Sequence, residues 1–207
     1  MHFNKIVCLG RSFRDHAVEL GNAVPESPLF FLKAPSAVIG PGEAIRLPRQ
    51  SALVHHEAEV AVIIATRLSH CTPAEAEAGI GAWTVLNDVT ARDLQQADNG
   101  RFTRAKGFDT FCPMSDVRLP TLPDGCRIQG FVNGQQRQNG ALSDLLWTPG
   151  QALAAVSRVM SLLPGDVVSL GTPAGVGPLV AGDTVEVRLV DAEGNLLISL
   201  INPVVGP

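Results

Sequence analysis

The stretch Glu57–Thr66, EAEVAVIIAT, constrains the fold of this chain most. It is strongly β-branched and reads as a strand. From Val60 to Ala65 it is apolar at consecutive positions, and therefore on both faces. A strand of that kind is normally covered on both sides. Two glutamates, Glu57 and Glu59, nevertheless enter it. Side chains alternate along a strand, so the two point the same way, about 7 Å apart, with His55 beside them. Ala58, Val60 and Val62 take the opposite face. A solvent-facing edge with two ordinary glutamates fits this spacing, and so does a pair of carboxylate ligands.

The rest of the chain supplies layers for such a strand. Strands are expected at Lys5–Leu9, in LFFLK (29–33), in AVI (37–39) and in WTVLND (83–88). Asn133-Gly134, set between alternating residues, predicts a two-residue hairpin within 127–138. GDVVSLGTP and GDTVEVRLVD each introduce a strand with Gly-Asp, and LLISLI follows a turn at Asp191–Asn195. Helices are expected over about 13–20, with Ser12 and Asp15 as its capping pair and Gly21 and Asn22 as its stop. Further helices are expected over 72–80 capped by Thr72, from about Ala91 with Thr90 and Asp93 as capping pair, and over 148–163 with Thr148 as cap and Pro149 at its first position. Glycine and proline number 20 and 15 among 207 residues, well above the usual combined share of about 12%. That excess argues against a helical bundle. Charged residues are 17% and hydrophobic ones 45%, which excludes a disordered chain. The expectation is one β-dominated α+β domain.

Net charge is −4, and no basic stripe interleaved with aromatics appears, so nucleic acid is not an expected partner. No apolar run approaches the ~20 residues of a membrane span, and no apolar leader follows Met1. A cytoplasmic protein without a membrane partner is expected. Cys8, Cys71, Cys112 and Cys126 are too scattered for a zinc ribbon or redox pair and read as reduced thiols.

Three further segments could carry chemistry. In LNDVTARD, Asp88 ends a buried strand just before a helix, where it is either a loop aspartate or a functional one. Arg92 follows on that helix. Lys106 lies in a polar, glycine-containing loop, RAKGFDTFCP. SLGTPAGVGP is a glycine-rich turn, or a backbone able to approach an anion, with Thr172 as donor. Should Glu57, Glu59 and Asp88 converge at about 4 Å, each pair would repel by roughly 4 kcal/mol at an effective dielectric of 20. A cation would relieve this. All-oxygen ligation suits Mg²⁺, Mn²⁺ or Ca²⁺ better than zinc.

In order, GRSFRDHAVEL, FFLKAPSAV, HHEAEVAV, NDVTARDLQ, AKGFD and GTPAGVGP resemble the fumarylacetoacetate hydrolase family. The likeness runs over nearly the whole chain. The short N-terminal helix is similar to the branch containing acylpyruvate hydrolases and oxaloacetate decarboxylases. The resemblance implies a mixed β-sandwich roll, assembled as a homodimer. It implies Glu57, Glu59 and Asp88 as metal ligands, and Lys106 near the metal in a catalytic role. Arg11, Arg92, Gln95 and Thr172 become binders of a small 2-oxo acid. His16 and Glu19 become a catalytic pair on a helix that closes over ligand. The implied reaction is hydrolysis of an acylpyruvate C–C bond through a pyruvate enolate. Oxaloacetate decarboxylation or tautomerisation, or isomerisation of a hydroxymuconate-type acid, would use the same site. A non-catalytic metal-binding module is the reading outside enzymes.

Overall fold

A computed structural model describes residues 4–19 and 25–207, apart from the side chains of residues 16–18. Two five-stranded sheets face each other across the main core. The first runs in the order β2 (Leu29–Lys33), β1 (Ile6–Gly10), β12 (Val167–Ser169), β6 (Ala58–Ile64) and β7 (Ile80–Asn87). It is mixed, because β1 pairs in parallel with β12 while its other pairings are antiparallel. The second runs β11 (Gln135–Ala141), β10 (Arg127–Val132), β14 (Thr184–Val190), β15 (Leu196–Val205) and β4 (Ile45–Arg46). Two small sheets complete the roll. One holds β13 (Gly177–Pro178), β5 (Val54–His56) and β8 (Thr90–Ala91), and the other β3 (Val38–Ile39) and β9 (Cys112–Pro113).

Alternation along β6 explains the layering. Ala58, Val60, Val62 and Ile64 point into the core shared with Ile128, Val187, Leu189, Ile198 and Leu200 of the second sheet. On the opposite face, Ala61 and Ile63 pack with Ile6, Cys8, Leu86, Cys112 and Met114 in a second apolar layer. The strand is thus covered on both sides, as its composition demands. The hairpin forms as Asn133-Gly134 predicts, with φ of 52° and 75°. Helices α2 (Pro73–Ala78) and α5 (Pro149–Ser157) begin in capping boxes, Thr72/Glu75 and Thr148/Gln151, and pack on each other. Among the described residues, no helix is long and apolar enough to cross a membrane.

Four local expectations need correction. The helix expected over 148–163 ends at Ser157, and Leu162 instead bridges to Leu68. The strand predicted through 57–66 breaks at Glu57, between β5 and β6. There the Asn87 side-chain oxygen accepts the Glu57 N–H at 2.9 Å, and the Glu57 carbonyl accepts from the Asp88 N–H. Helix α3 (Arg92–Ala97) lacks the Thr90 cap. Thr90 lies in β8 and donates its hydroxyl to the Asp88 carbonyl, while the Asp93 carboxylate accepts from Ser51 and Ala52. Helix α1 (Arg14–Glu19) starts after Phe13, and the Ser12 hydroxyl donates instead to the Leu170 carbonyl. Its expected stop, Gly21 and Asn22, lies outside the described residues. The remaining helix, α4 (Thr103–Lys106), is a single turn.

Candidate active site

The site grows from the outer face of the first sheet. Registers β1–β2 and β1–β12 place Phe31, Cys8 and Ser169 in one row, and Glu59 emerges on the same face of β6. The strand interruption at Glu57 sets its carboxylate beside the end of β7, where Asp88 follows the last strand residue. All three carboxylates are buried: Glu57 is 4% exposed, Glu59 1% and Asp88 0%.

Buried charge demands partners. Lys33 Nζ donates to Asp88 Oδ1 at 2.6 Å. Lys106 Nζ donates to Asp88 Oδ2 at 2.6 Å and to Glu57 Oε2 at 2.7 Å. Arg92 ion-pairs with the other Glu57 oxygen and donates to Gln95 Oε1 at 3.0 Å. The result is one chain of alternating charge from Lys33 to Arg92. Glu59 stands apart from these cations. Its Oε2 accepts from the Ser169 hydroxyl and from the Gly171 N–H. Burial, and then the nearby Asp88 and Glu57 carboxylates, push the Glu59 carboxyl well above the ordinary range. For Lys106, burial pulls downward, but Asp88 and Glu57 outweigh it and hold the ammonium above the usual lysine value. The Cys8 thiol is raised by burial and by Asp88 and Glu59.

A cavity of about 400 Å³ opens over this cluster. Glu57, Glu59, Lys106 and Arg92 line it, together with Arg11, Gln95 and Thr172. Seven of the ten residues singled out in the sequence therefore share one cavity, and Asp88, an eighth, joins the same network through Lys106. His55, expected beside the glutamates, is not on that wall. It is diverted into β5, where burial, and then Arg92, lower it to about 4. Glu19 lies at the neighbouring glycine loop and accepts from the Gly175 N–H at 2.9 Å. The His16 side chain lies outside the described residues. Thr172 differs chemically from its expected role. Its hydroxyl donates to the Ala58 carbonyl at 2.9 Å and accepts from Gln138 Nε2 at 2.6 Å. The side chain thus ties the glycine loop to β6, and its proton is directed at protein.

Sequence reasoning passed over several residues of the site. Lys33 is the foremost, a lysine 2% exposed whose ammonium holds Asp88. The available signal was a lysine closing an otherwise apolar strand, LFFLK. Phe31 and Phe102 stack with ring centroids 4.4 Å apart on the cavity wall, and Lys106 Nζ lies 5.0 Å from the Phe31 ring centre. Gln138, fully buried, has both ends of its amide engaged. Its oxygen accepts from the Ala58 N–H and faces His56 Nδ1, and its nitrogen donates to Thr172 and Pro173. No local pattern marks it, since its partners are distant in sequence.

The donor set fits a divalent ion. Ligand atoms of Glu59, Asp88 and Cys8 lie within 4.8 Å of one another, and Glu57 shares Lys106 with Asp88. Residues 5–205 match the family fumarylacetoacetate (FAA) hydrolase, C-terminal. An oxaloacetate tautomerase of Arabidopsis thaliana is 38% identical over 187 residues, covering 87% of this chain and 84% of that protein. A 5-carboxymethyl-2-hydroxymuconate delta-isomerase from Mycobacterium smegmatis superposes with a TM-score of 0.89 at 42% identity, covering 99% of this chain and 80% of the other. A fumarylpyruvate hydrolase from Pseudomonas aeruginosa, in complex with Mn²⁺ and pyruvate, gives 0.90 at 28% identity, covering 99% and 91%. The chain belongs to the fumarylacetoacetate hydrolase family.

Proposed function

We propose that this chain is a divalent-metal-dependent enzyme of small 2-oxo acids, cleaving the C–C bond of acylpyruvate-type 2,4-dioxo acids. The observation that carries this reading is the buried convergence of Glu57, Glu59, Lys106 and Arg92 on one cavity, with Asp88 bonded behind it to Lys106. Glu57, Glu59 and Asp88 would hold Mg²⁺ or Mn²⁺. The bound ion would supply Lewis acidity and a template for the 2-oxo carboxylate.

The chain's own groups divide the remaining work. Arg92, braced by Gln95, and Arg11 neutralise the substrate carboxylate. Lys106 stabilises the negative charge that develops on the keto oxygen. His16, oriented by Glu19, takes a proton from water. The water oxygen bonds to the distal acyl carbon, the bond between that carbon and C3 breaks, and its electron pair leaves with the pyruvate half as an enolate, which then takes a proton at C3. A general base of this kind contributes about 10²–10⁴-fold. A second reading, tautomerisation of oxaloacetate by proton transfer at C3 without attack by water, draws support from the tautomerase relative.

Dialysis against chelator is expected to abolish activity, and Mg²⁺ or Mn²⁺ to restore it. A panel of acylpyruvates, oxaloacetate and muconate-type acids separates the reactions. His16→Ala is expected to lower hydrolysis by at least 10²-fold while oxalate still binds. Hydrolysis at the parent rate would remove His16 from the scheme.

A further inference from the structure

We infer that the carboxylate site has a second binding mode, in which Cys8 joins Glu59 and Asp88 as a sulfur ligand to a soft divalent cation such as Zn²⁺ or Cd²⁺. The inference rests on the reading that Glu59 and Asp88 hold a cation. Its own support is the geometry of the site floor. Cys8 Sγ and the carboxylate oxygens of Glu59 and Asp88 all lie within 4.8 Å of one another. An ion with bonds of about 2.0–2.5 Å bridges ligand atoms up to about 4–5 Å apart. The thiol is 0% exposed and has no hydrogen-bond partner among the described residues. Its part in the fold is packing within the second apolar layer. Strand pairing on both sides, to Phe31 and to Ser169, keeps Cys8 facing the carboxylates.

The two modes separate by hardness. Mg²⁺ and Mn²⁺ prefer oxygen, whereas thiolate favours Zn²⁺ and Cd²⁺. On coordination the S–H bond gives its proton to solvent and an S–metal bond forms, with no change in oxidation state. A soft ion thus gains a ligand that Mg²⁺ does not use and is retained against it.

The test titrates the chain with Cd²⁺ while following the thiolate-to-metal charge-transfer band in the ultraviolet. Free Mn²⁺ is followed in parallel by electron paramagnetic resonance. The parent protein and Cys112→Ser are expected to develop one equivalent of the band as Cd²⁺ displaces Mn²⁺. Cys8→Ser and Cys8→Ala are expected to lose the band, and to bind Cd²⁺ at least tenfold more weakly, while their Mn²⁺ uptake is retained and reports an intact site. Displacement of Mn²⁺ without a band, or a band persisting in both Cys8 variants, overturns the inference and leaves the metal reading standing. Uptake of Mn²⁺ without Cd²⁺ overturns the inference alone, and failure of both ions to bind the parent protein overturns both.

Discussion

Glu59 is buried against Asp88 and Glu57 and lies beyond direct reach of the lysines that serve them, which is why its carboxyl is raised. The sign of the consequence follows from linkage. Below about pH 4.5 both folded and unfolded chains carry the proton. Above it the unfolded chain releases the proton first, so stability falls as pH rises, by about 1.4 kcal/mol per unit, until the folded carboxyl ionises too. Denaturation of the chelated protein across pH is expected to show this loss, and Glu59→Gln to flatten it. An unchanged slope in that variant would contradict the assignment. Lys33 carries the opposite burden, since removing it leaves Asp88 Oδ1 buried without its cation. Lys33→Met is expected to cost about 3–5 kcal/mol by denaturant unfolding; a cost under 1 kcal/mol would show that Asp88 relaxes without it. The sequence marked Glu57, Glu59 and Asp88 because their charges sit where apolar runs end, and Lys106 as a lysine in a polar, glycine-containing loop. Lys33 offered only the signal of a lysine closing an apolar strand, and Gln138 none, since their roles come from partners 55 and 34–82 positions away.

At the scale of elements, the loop after β12 holds the site together through backbone conformation. Gly171 has φ of 93°, and a Cβ there would lie 1.8 Å from Ser12 Oγ. Its N–H is also a donor to Glu59. Gly171→Ala combines backbone strain of about 1–3 kcal/mol with a steric clash. It is expected to lower the melting temperature and to weaken Mn²⁺ uptake together. Retention of parental Mn²⁺ affinity would separate the loop from the site. Elements with local chemistry were legible: the Asn133-Gly134 hairpin and the Thr72 and Thr148 capping boxes depend only on neighbouring residues. The break at Glu57 was not, because Asn87, thirty positions on, supplies the hydrogen bond that replaces the ladder. Thr90 failed as a cap for the same reason, since β8 claims it for pairing with His55.

For the whole molecule, a β-branched strand covered on both faces forced a layered roll, and the two facing sheets supply it. The surface of that roll keeps Val180, Leu196 and Ile201 60%, 56% and 46% exposed. Light scattering is expected to return twice the chain mass of 21.8 kDa; a monomer at every concentration would contradict the dimer. The convergence of residues from β1, β6, the end of β7 and α4 is what no local pattern could supply, and it is the account's centre. A crystal structure with Mn²⁺ and oxalate tests it most directly. The predicted result is an ion among the oxygens of Glu57, Glu59 and Asp88, with oxalate between it and Arg92. An ion bound elsewhere, or those carboxylates turned away from the oxalate, would contradict the account.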